Sequence, residues 1–459
     1  LKTESRGEEM VKGFSRSFKV TLGIIGVIVA FILLVMLVGA IGDASSRGKL
    51  AEIRDSSLAF LKSHIREDEG NAVDYFLEAA ALAADADADA SPYLNGLSEI
   101  SPSLTKDILE NLDAIARITQ GAKMEFYSYP YDYQKGAAAE LPDYFNLSKA
   151  IKLTCAKALF DLEKGRSDNS LDALFDCLRA GKLIASGTPV LFDVAIGNSF
   201  AMRSLEVLHL GLASGCYDQG QLERIDAVLT EFEEEWPLVG LSLEGEVCGM
   251  AIIFFDALKH PAALLEVGEM LGNSFGDVFR LFVFRLVCWR FLFSPSRMYL
   301  GAHEDMNAIV DTFKEIEGMP MNRENREDWD RKRAAFREDI EQRVEGNLLL
   351  NLTFPNVFAI YNRRLETITA IRAARLCCAI RAFQRDNRRF PVNLQELGGD
   401  IIYDFNTGKV WQYQNNGDSA TIASPGSIPD GTKDDIAITL TNLGIAGYLK
   451  QLRATEGKK

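Results

Sequence analysis

Val20 to Gly42 is a run of 23 residues without an ionisable side chain, bounded by Lys19 and Asp43. As a helix rising 1.5 Å per residue it measures about 34 Å, enough to cross a hydrocarbon core of about 30 Å. A core helix of a globular domain would carry a polar face, and this run has none. A secretory signal would hold only about 7–15 apolar residues. The run is therefore expected to be a single transmembrane anchor in contact with membrane lipid. Gly23, Gly26 and Ala30 lie near one face of it, where small residues let two such helices approach.

Orientation follows from the flanking cations. Lys2, Arg6, Lys12, Arg16 and Lys19 precede the run, whereas Arg47, Lys49 and Arg54 follow it within a similar distance. The excess on the short side predicts an N-terminus inside and the large C-terminal part outside the cytoplasmic (inner) membrane, on its periplasmic face. The expected organisation is a cytoplasmic tail 1–19, the span 20–42 and a helical extracytoplasmic domain 43–365. A small α+β segment 366–440 and a C-terminal tail 441–459 follow.

The net charge of -15 is unevenly spread: residues 43–359 carry -21, while 360–389 carry +6 from eight Arg and two acids. So acidic a body excludes nucleic acid as a partner and opposes docking on anionic lipid outside the Arg-rich stretch. Seven cysteines are scattered through apolar surroundings, without a Cys-x-x-Cys pair or a His at ligand spacing. They read as small core residues. Cys155 and Cys177, on successive helices, are the candidate pair for a disulfide in an oxidising compartment.

From Ala51 onward the pattern is mainly helical, with a hairpin or solenoid-like texture. Leu58, Leu61 and Ile65 recur at helical spacing, and Asn71 is placed to cap a helix through Ala80. Asp85, Asp87 and Asp89 alternate with Ala in a polar break; alternate residues on such a segment make a poor metal cage. One helix is expected over Leu104–Gly121, capped by Ser103 or Thr105. Two more flank Gly165–Asn169 between Leu141 and Ala185, then Asp193–Leu212 and Gln219–Trp236 follow. Glu233, Glu234, Glu235, Glu244 and Glu246 read as surface charges. The stretch 126–133, Phe-Tyr-Ser-Tyr-Pro-Tyr-Asp-Tyr, is expected to pin a loop across helices, with a ligand-lining groove as the alternative. Val278–Phe293 carries Arg280, Arg285 and Arg290 in all directions, as suits a surrounded central helix better than an interfacial one. Residues 322–345 alternate charges at i, i+4 spacing, the mark of a solvated helix.

Glu366–Asn387 reads as a long helix. Ile368, Leu376, Cys377, Ala379, Ile380 and Phe383 share one half of its wheel, with Arg364, Arg375, Arg381, Arg385 and Arg388 on the other. Asn393–Leu397 resembles a capped turn with an acid at the third position. Ile401–Tyr403, Val410–Tyr413 and Ala420–Ala423 are expected strands, joined by turns at Asn406-Thr-Gly408 and Asn415-Asn-Gly-Asp418.

A helix leaving through Arg385-Asp-Asn-Arg-Arg-Phe-Pro391, followed by Asp404-Phe-Asn-Thr-Gly-Lys409, Tyr413, Gly417-Asp418, Ser424 and Asp430-Gly431, resembles the C-terminal domain of the major pseudopilins of type II secretion systems. The similarity covers about 70 residues and implies a pilin-like helix-plus-sheet fold and a secretion- or pilus-like setting. The whole chain also resembles single-pass membrane proteins of planctomycete-like bacteria that join a helical body to such a tail. The pseudopilin likeness implies calcium in the last loop, with Asp430, Asp434 and Asp435 as the carboxylates; Lys433 stands among them.

No His-Glu-x-x-His, Gly-x-Ser-x-Gly, Walker loop or dinucleotide fingerprint occurs, and His64, His209, His260 and His303 stand apart. No catalytic or cofactor-binding residue is singled out. The expected function is that of a membrane-anchored, extracytoplasmic interaction or structural component, binding envelope proteins or itself. An anchored envelope hydrolase with a site between body and tail, and a ligand sensor using the loop 126–133, are the alternatives.

Overall fold

The computed structural model of the protein describes residues 46–66, 68–259, 295–319, 326–346, 355–425 and 436–456. The expected span 20–42, the Arg-bearing stretch 278–293 and the calcium candidates Asp430, Asp434 and Asp435 lie outside them.

The described chain is mainly helical with one small antiparallel sheet. It opens in α1 (46–63). Next come α2 (Val73–Leu82), the single turn α3 (Ser91–Leu94), α4 (Pro102–Glu110), α5 (Leu112–Gly121), α6 (Tyr144–Glu163) and α7 (Ser167–Gly187). These lead into α8 (Leu191–Ser214), α9 (Gln219–Glu235), α10 (Gly240–Lys259), α11 (Pro295–Glu317) and α12 (Arg326–Gly346). The 33-residue α13 (Pro355–Asn387), strands β1 (Gln412–Asn415), β2 (Ser419–Ala423) and β3 (Ala437–Thr441), and α14 (Gly444–Glu456) complete it.

The chain divides into two units. One takes in residues 59–133, 139–248 and 307–459, the other 1–58, 134–138 and 249–306. In the described part of the second, Leu50, Ala251, Ile252, Tyr299 and Ala302 are buried, and the Arg54 guanidinium lies 5.1 Å from the centre of the Phe255 ring.

In the larger unit, consecutive helices α6, α7 and α8 pack side by side, and α13 lies along α8 and α9. The α7–α8 crossing is set by small residues: a Cβ on Gly181 would come within 2.6 Å of the Gly197 carbonyl oxygen, and one on Gly197 within 2.3 Å of the Gly181 oxygen. The two backbones touch there, a distance that no larger residue allows. A single core runs from Ala72 and Phe76 through Leu174, Phe175 and Leu208 to Ile371, Leu376 and the sheet residues Ile422 and Leu440. The boundary expected at 365/366 falls inside α13.

Several local expectations are corrected. The helix over 104–121 is broken at Asn111 into α4 and α5, and its cap is Ser101, whose hydroxyl accepts the Leu104 N–H at 3.1 Å. Ile401–Tyr403 is not a strand: Asp400–Ile402 forms a 3-10 turn, and Tyr403 makes a single bridge to Val410. The Asn393 turn is a 3-10 turn, but without the side-chain cap; its Glu396 pairs with Arg389 at 3.0 Å instead. The third strand is β3, paired antiparallel with β2 in register Ile422 to Ile438, and residues 444–456 form a helix where a tail was expected. The residues of α12 do show solvated pairs, such as Arg337–Glu341 at 3.3 Å, yet Trp329, Phe336 and Ile340 are buried on one face.

Candidate functional site

The aromatic loop 126–133 does pin helices together, and its polar target is Asp193. This aspartate sits in the first turn of α8, wholly buried. Its Oδ1 accepts the hydroxyls of Tyr131 at 2.8 Å and Tyr144 at 2.6 Å, and its Oδ2 accepts that of Thr188. Tyr127 extends the network, its hydroxyl 3.1 Å from that of Tyr144. Three neutral donors and the N-terminal end of a helix dipole face the carboxylate. Among the described residues no cation pairs with it. Burial therefore dominates and pushes the Asp193 carboxyl up to about 6, against the pull of the three hydroxyls. Burial also raises Tyr127, Tyr131 and Tyr144 far out of reach of neutral pH, so they stay donors.

Glu246 belongs to the same neighbourhood, not to the surface. Its Oε1 accepts the Leu191 N–H at 3.2 Å, capping α8, and its carboxyl is raised by burial, against the pull of that N–H, with the Asp193 charge adding to the rise. Glu233 is likewise corrected. Its side chain is only 6 % exposed and holds both Arg372, at 2.7 Å from the Arg Nε, and Arg375, at 2.8 Å. Glu234 and Glu235 of that run are exposed, as expected, and Glu235 meets Lys182 at 2.6 Å.

The Arg half of α13 is only partly in water: Arg385 and Arg388 are exposed, Arg364 and Arg375 half-buried. Arg381 is buried, and its guanidinium donates to the Leu212 carbonyl at 2.9 Å, the Ala213 carbonyl at 2.6 Å and the Thr441 carbonyl at 2.6 Å. Gly215, with φ of 75°, ends α8 in the left-handed region beside this guanidinium. Arg385 donates to the Tyr217 carbonyl, and Arg364 to the Pro237 carbonyl at 2.7 Å. Arg381 satisfies carbonyls that the end of α8 leaves open, while Arg385 and Arg364 take carbonyls of the linkers after α8 and α9. At the start of α10 the roles reverse: buried Glu317 accepts the Val239 N–H at 3.0 Å and the Gly240 N–H at 2.6 Å.

A cleft of about 510 Å³ opens between α8 and the tail, lined by Met202, Leu205, His209, Ala370, Ile438 and Tyr448 among others. This is where the hydrolase alternative places its site. The His209 ring there donates its Nε2–H to the Ala370 carbonyl at 3.0 Å, and burial holds its pKa down at about 4. No serine or carboxylate bonds to it among the described residues. Elsewhere on the body Phe145 is 75 % exposed, with Leu141 and Phe192 also in solvent. The Phe192 ring lies 5.6 Å from that of Tyr144, directly over the Asp193 network.

Among the described residues no group of three or more His, Cys, Asp or Glu is placed to hold a metal ion. Asp89 serves the backbone, its carboxylate taking the Ser91 N–H at 2.9 Å, while the Asp87 N–H donates to the Asp107 carboxylate at 3.1 Å. Cys155 and Cys177 are fully buried on α6 and α7 as free thiols, in contact with each other. Among the described residues no single helix is long and apolar enough to cross a membrane; α9 and α10 pass only as a pair bent by 43°. Comparison with family models, with curated proteins and with solved structures finds no match to this chain.

Of these groups the sequence pointed to the aromatic loop and to the arginines. It missed Asp193. The available signal was an acid flanked by Phe192 and Val194 at a helix start, where an apolar setting requires hydroxyl or cationic partners.

Proposed function

We propose that the chain is a membrane-tethered interaction component of the cell envelope. Residues 20–42 span the membrane once, the N-terminus lies inside, and the helical body stands outside and docks an envelope protein. The observation that carries the docking role is the exposed trio Leu141, Phe145 and Phe192, 56 %, 75 % and 45 % accessible. Two aromatic rings held in water cost solubility unless a partner covers them. The Asp193 network beneath fixes the backbone that presents them, which lowers the ordering cost of docking. The pseudopilin-like character of the tail points to an apolar segment of a secretion- or pilus-like assembly as the partner.

The two alternatives draw less support. Tyr127 and Tyr131 are 2 % and 5 % exposed, so these tyrosines of the loop 126–133 are core residues and offer a ligand little surface. The body–tail cleft has mainly apolar walls, and its histidine is bound to a main-chain carbonyl.

The test uses the full chain in its own membrane. A benzophenone amino acid at position 145 or 192 should give, on irradiation, an adduct with another envelope protein, while the same group at exposed position 392 should not. Protease added to wall-stripped cells should digest the body. Equal labelling from all three positions would remove the docking face, and a body protected until lysis would reverse the orientation.

A further inference from the structure

We propose that the cleft between α8, α13, β3 and α14 is a binding site for a neutral, mainly apolar ligand that carries one hydrogen-bond donor, such as an aromatic or alicyclic alcohol, received by Nδ1 of His209. The inference goes beyond the docking role and stands without it, because the exposed trio takes no part.

Three features carry it. At about 510 Å³ the cleft has the size of a small-molecule site. Apolar atoms make up the larger share of its walls, with Leu94, Met202, Leu205, Ala370, Ile438 and Leu452 among them. The charged groups are paired, and Asn95 and Tyr448 add uncharged polar atoms to the lining. Glu206 is bound by Arg203 at 2.7 Å and Glu366 by Arg363 at 2.8 Å, so neither carboxylate is left to select a cation and neither guanidinium to select an anion. The site therefore favours no net charge.

His209 remains. A carbonyl oxygen only accepts, so the 3.0 Å contact to Ala370 places the ring proton on Nε2 and leaves Nδ1 as an acceptor lone pair. Among the described residues no group donates to Nδ1. The depressed pKa keeps the ring neutral at physiological pH, so the acceptor does not become a second donor. A mainly apolar pocket that holds this neutral acceptor rewards a hydroxyl or N–H at Nδ1 and hydrocarbon over the larger share of its surface. A ligand whose donor is methylated leaves Nδ1 desolvated and unpaired, which costs about tenfold or more in affinity.

The probe pair is 4-phenylphenol and 4-methoxybiphenyl, titrated against the full chain in mild detergent at pH 7.5, with empty micelles as the reference. The phenol should bind at least about tenfold more tightly than the ether. His209→Phe should erase that difference, and His209→Gln, which keeps an N–H for Ala370 and an oxygen acceptor, should restore part of it. Met202→Trp should weaken both probes by filling the cleft. Far-UV circular dichroism and thermal melting confirm that each variant is folded. Equal affinity for the two probes in the wild-type chain overturns the role of His209. Binding untouched by Met202→Trp places the probe elsewhere and overturns the site, as does failure of both probes to bind up to their solubility limits.

Discussion

Replacing Asp193 by Asn should flatten one component of the pH dependence of stability. In the native state its carboxyl keeps a proton up to about pH 6; in the unfolded chain it releases it near 3.8. The folded-state value is the higher one, so the native state binds more protons and stability falls as pH rises through this window. Below 3.8 both states are protonated and the group contributes its full favourable share. Above 6 the native protein holds a buried carboxylate that three hydroxyls do not fully repay, and about 3 kcal/mol has been lost. Asn is close in shape: its oxygen can accept Tyr131 and Tyr144, and its amide can donate to the Thr188 oxygen. The variant therefore lacks the titration, whatever constant cost it carries. The assay is equilibrium urea unfolding of the full chain in detergent, followed by far-UV circular dichroism, for both proteins between pH 4 and 7.5. The stability of the wild type relative to Asp193→Asn should drop by about 3 kcal/mol across the range, most steeply near pH 5. Glu246 sits close enough to trim that figure, because losing the Asp193 charge relaxes its own raised carboxyl. Two curves that run parallel over the whole range would refute the reasoning.

Other perturbations follow from particular contacts. Arg381→Met should destabilise the protein by about 3 kcal/mol or more, since three buried carbonyls lose their donor at once; urea midpoints measure it. Gly181→Ala should destabilise by about 1–3 kcal/mol, because its methyl meets the Gly197 carbonyl, whereas Gly301→Ala in open space on α11 should stabilise by about 1 kcal/mol. Opposite signs for the same substitution in thermal melts are the decisive reading. Arg388 ends α13 with φ of 55°, so Arg388→Gly should raise stability by about 1 kcal/mol by relieving a left-handed Cβ. A fall would mean that its side chain does unseen packing.

The helical elements were readable because each buries one stripe: α6, α7 and α9 start and end within a few residues of where periodicity and the Gly165 and Pro237 breaks place them. Asn71 stands one residue before the cap position Ala72, and its Oδ1 takes the Val73 N–H at 3.1 Å. The errors at buried charges share one cause. A helical wheel sorts Arg381 and Glu233 by polarity, and polarity implies water only when no distant partner is on hand. Arg381 meets carbonyls some 170 residues earlier, at Leu212 and Ala213. Asp193 is explained by Tyr131 and Tyr144, 62 and 49 positions away. Local spacing carries no trace of either meeting. The missed strand β3 is a different case, since Ala437-Ile-Thr-Leu-Thr441 alternates as a half-buried strand does and was there to be read.

The row of guanidinium groups along α13 has a mechanical consequence. Arg364 grips the end of α9, Arg372 and Arg375 its last turns, and Arg381 and Arg385 the end of α8 and the turn beyond. Sliding α13 by a single turn, about 5.4 Å, would unseat all five side chains together, so no half-shifted arrangement is stable. A pull delivered to the sheet and α14 is therefore shared along the rod and handed to two helix ends as shear, which makes this unit a lever and not a string of beads.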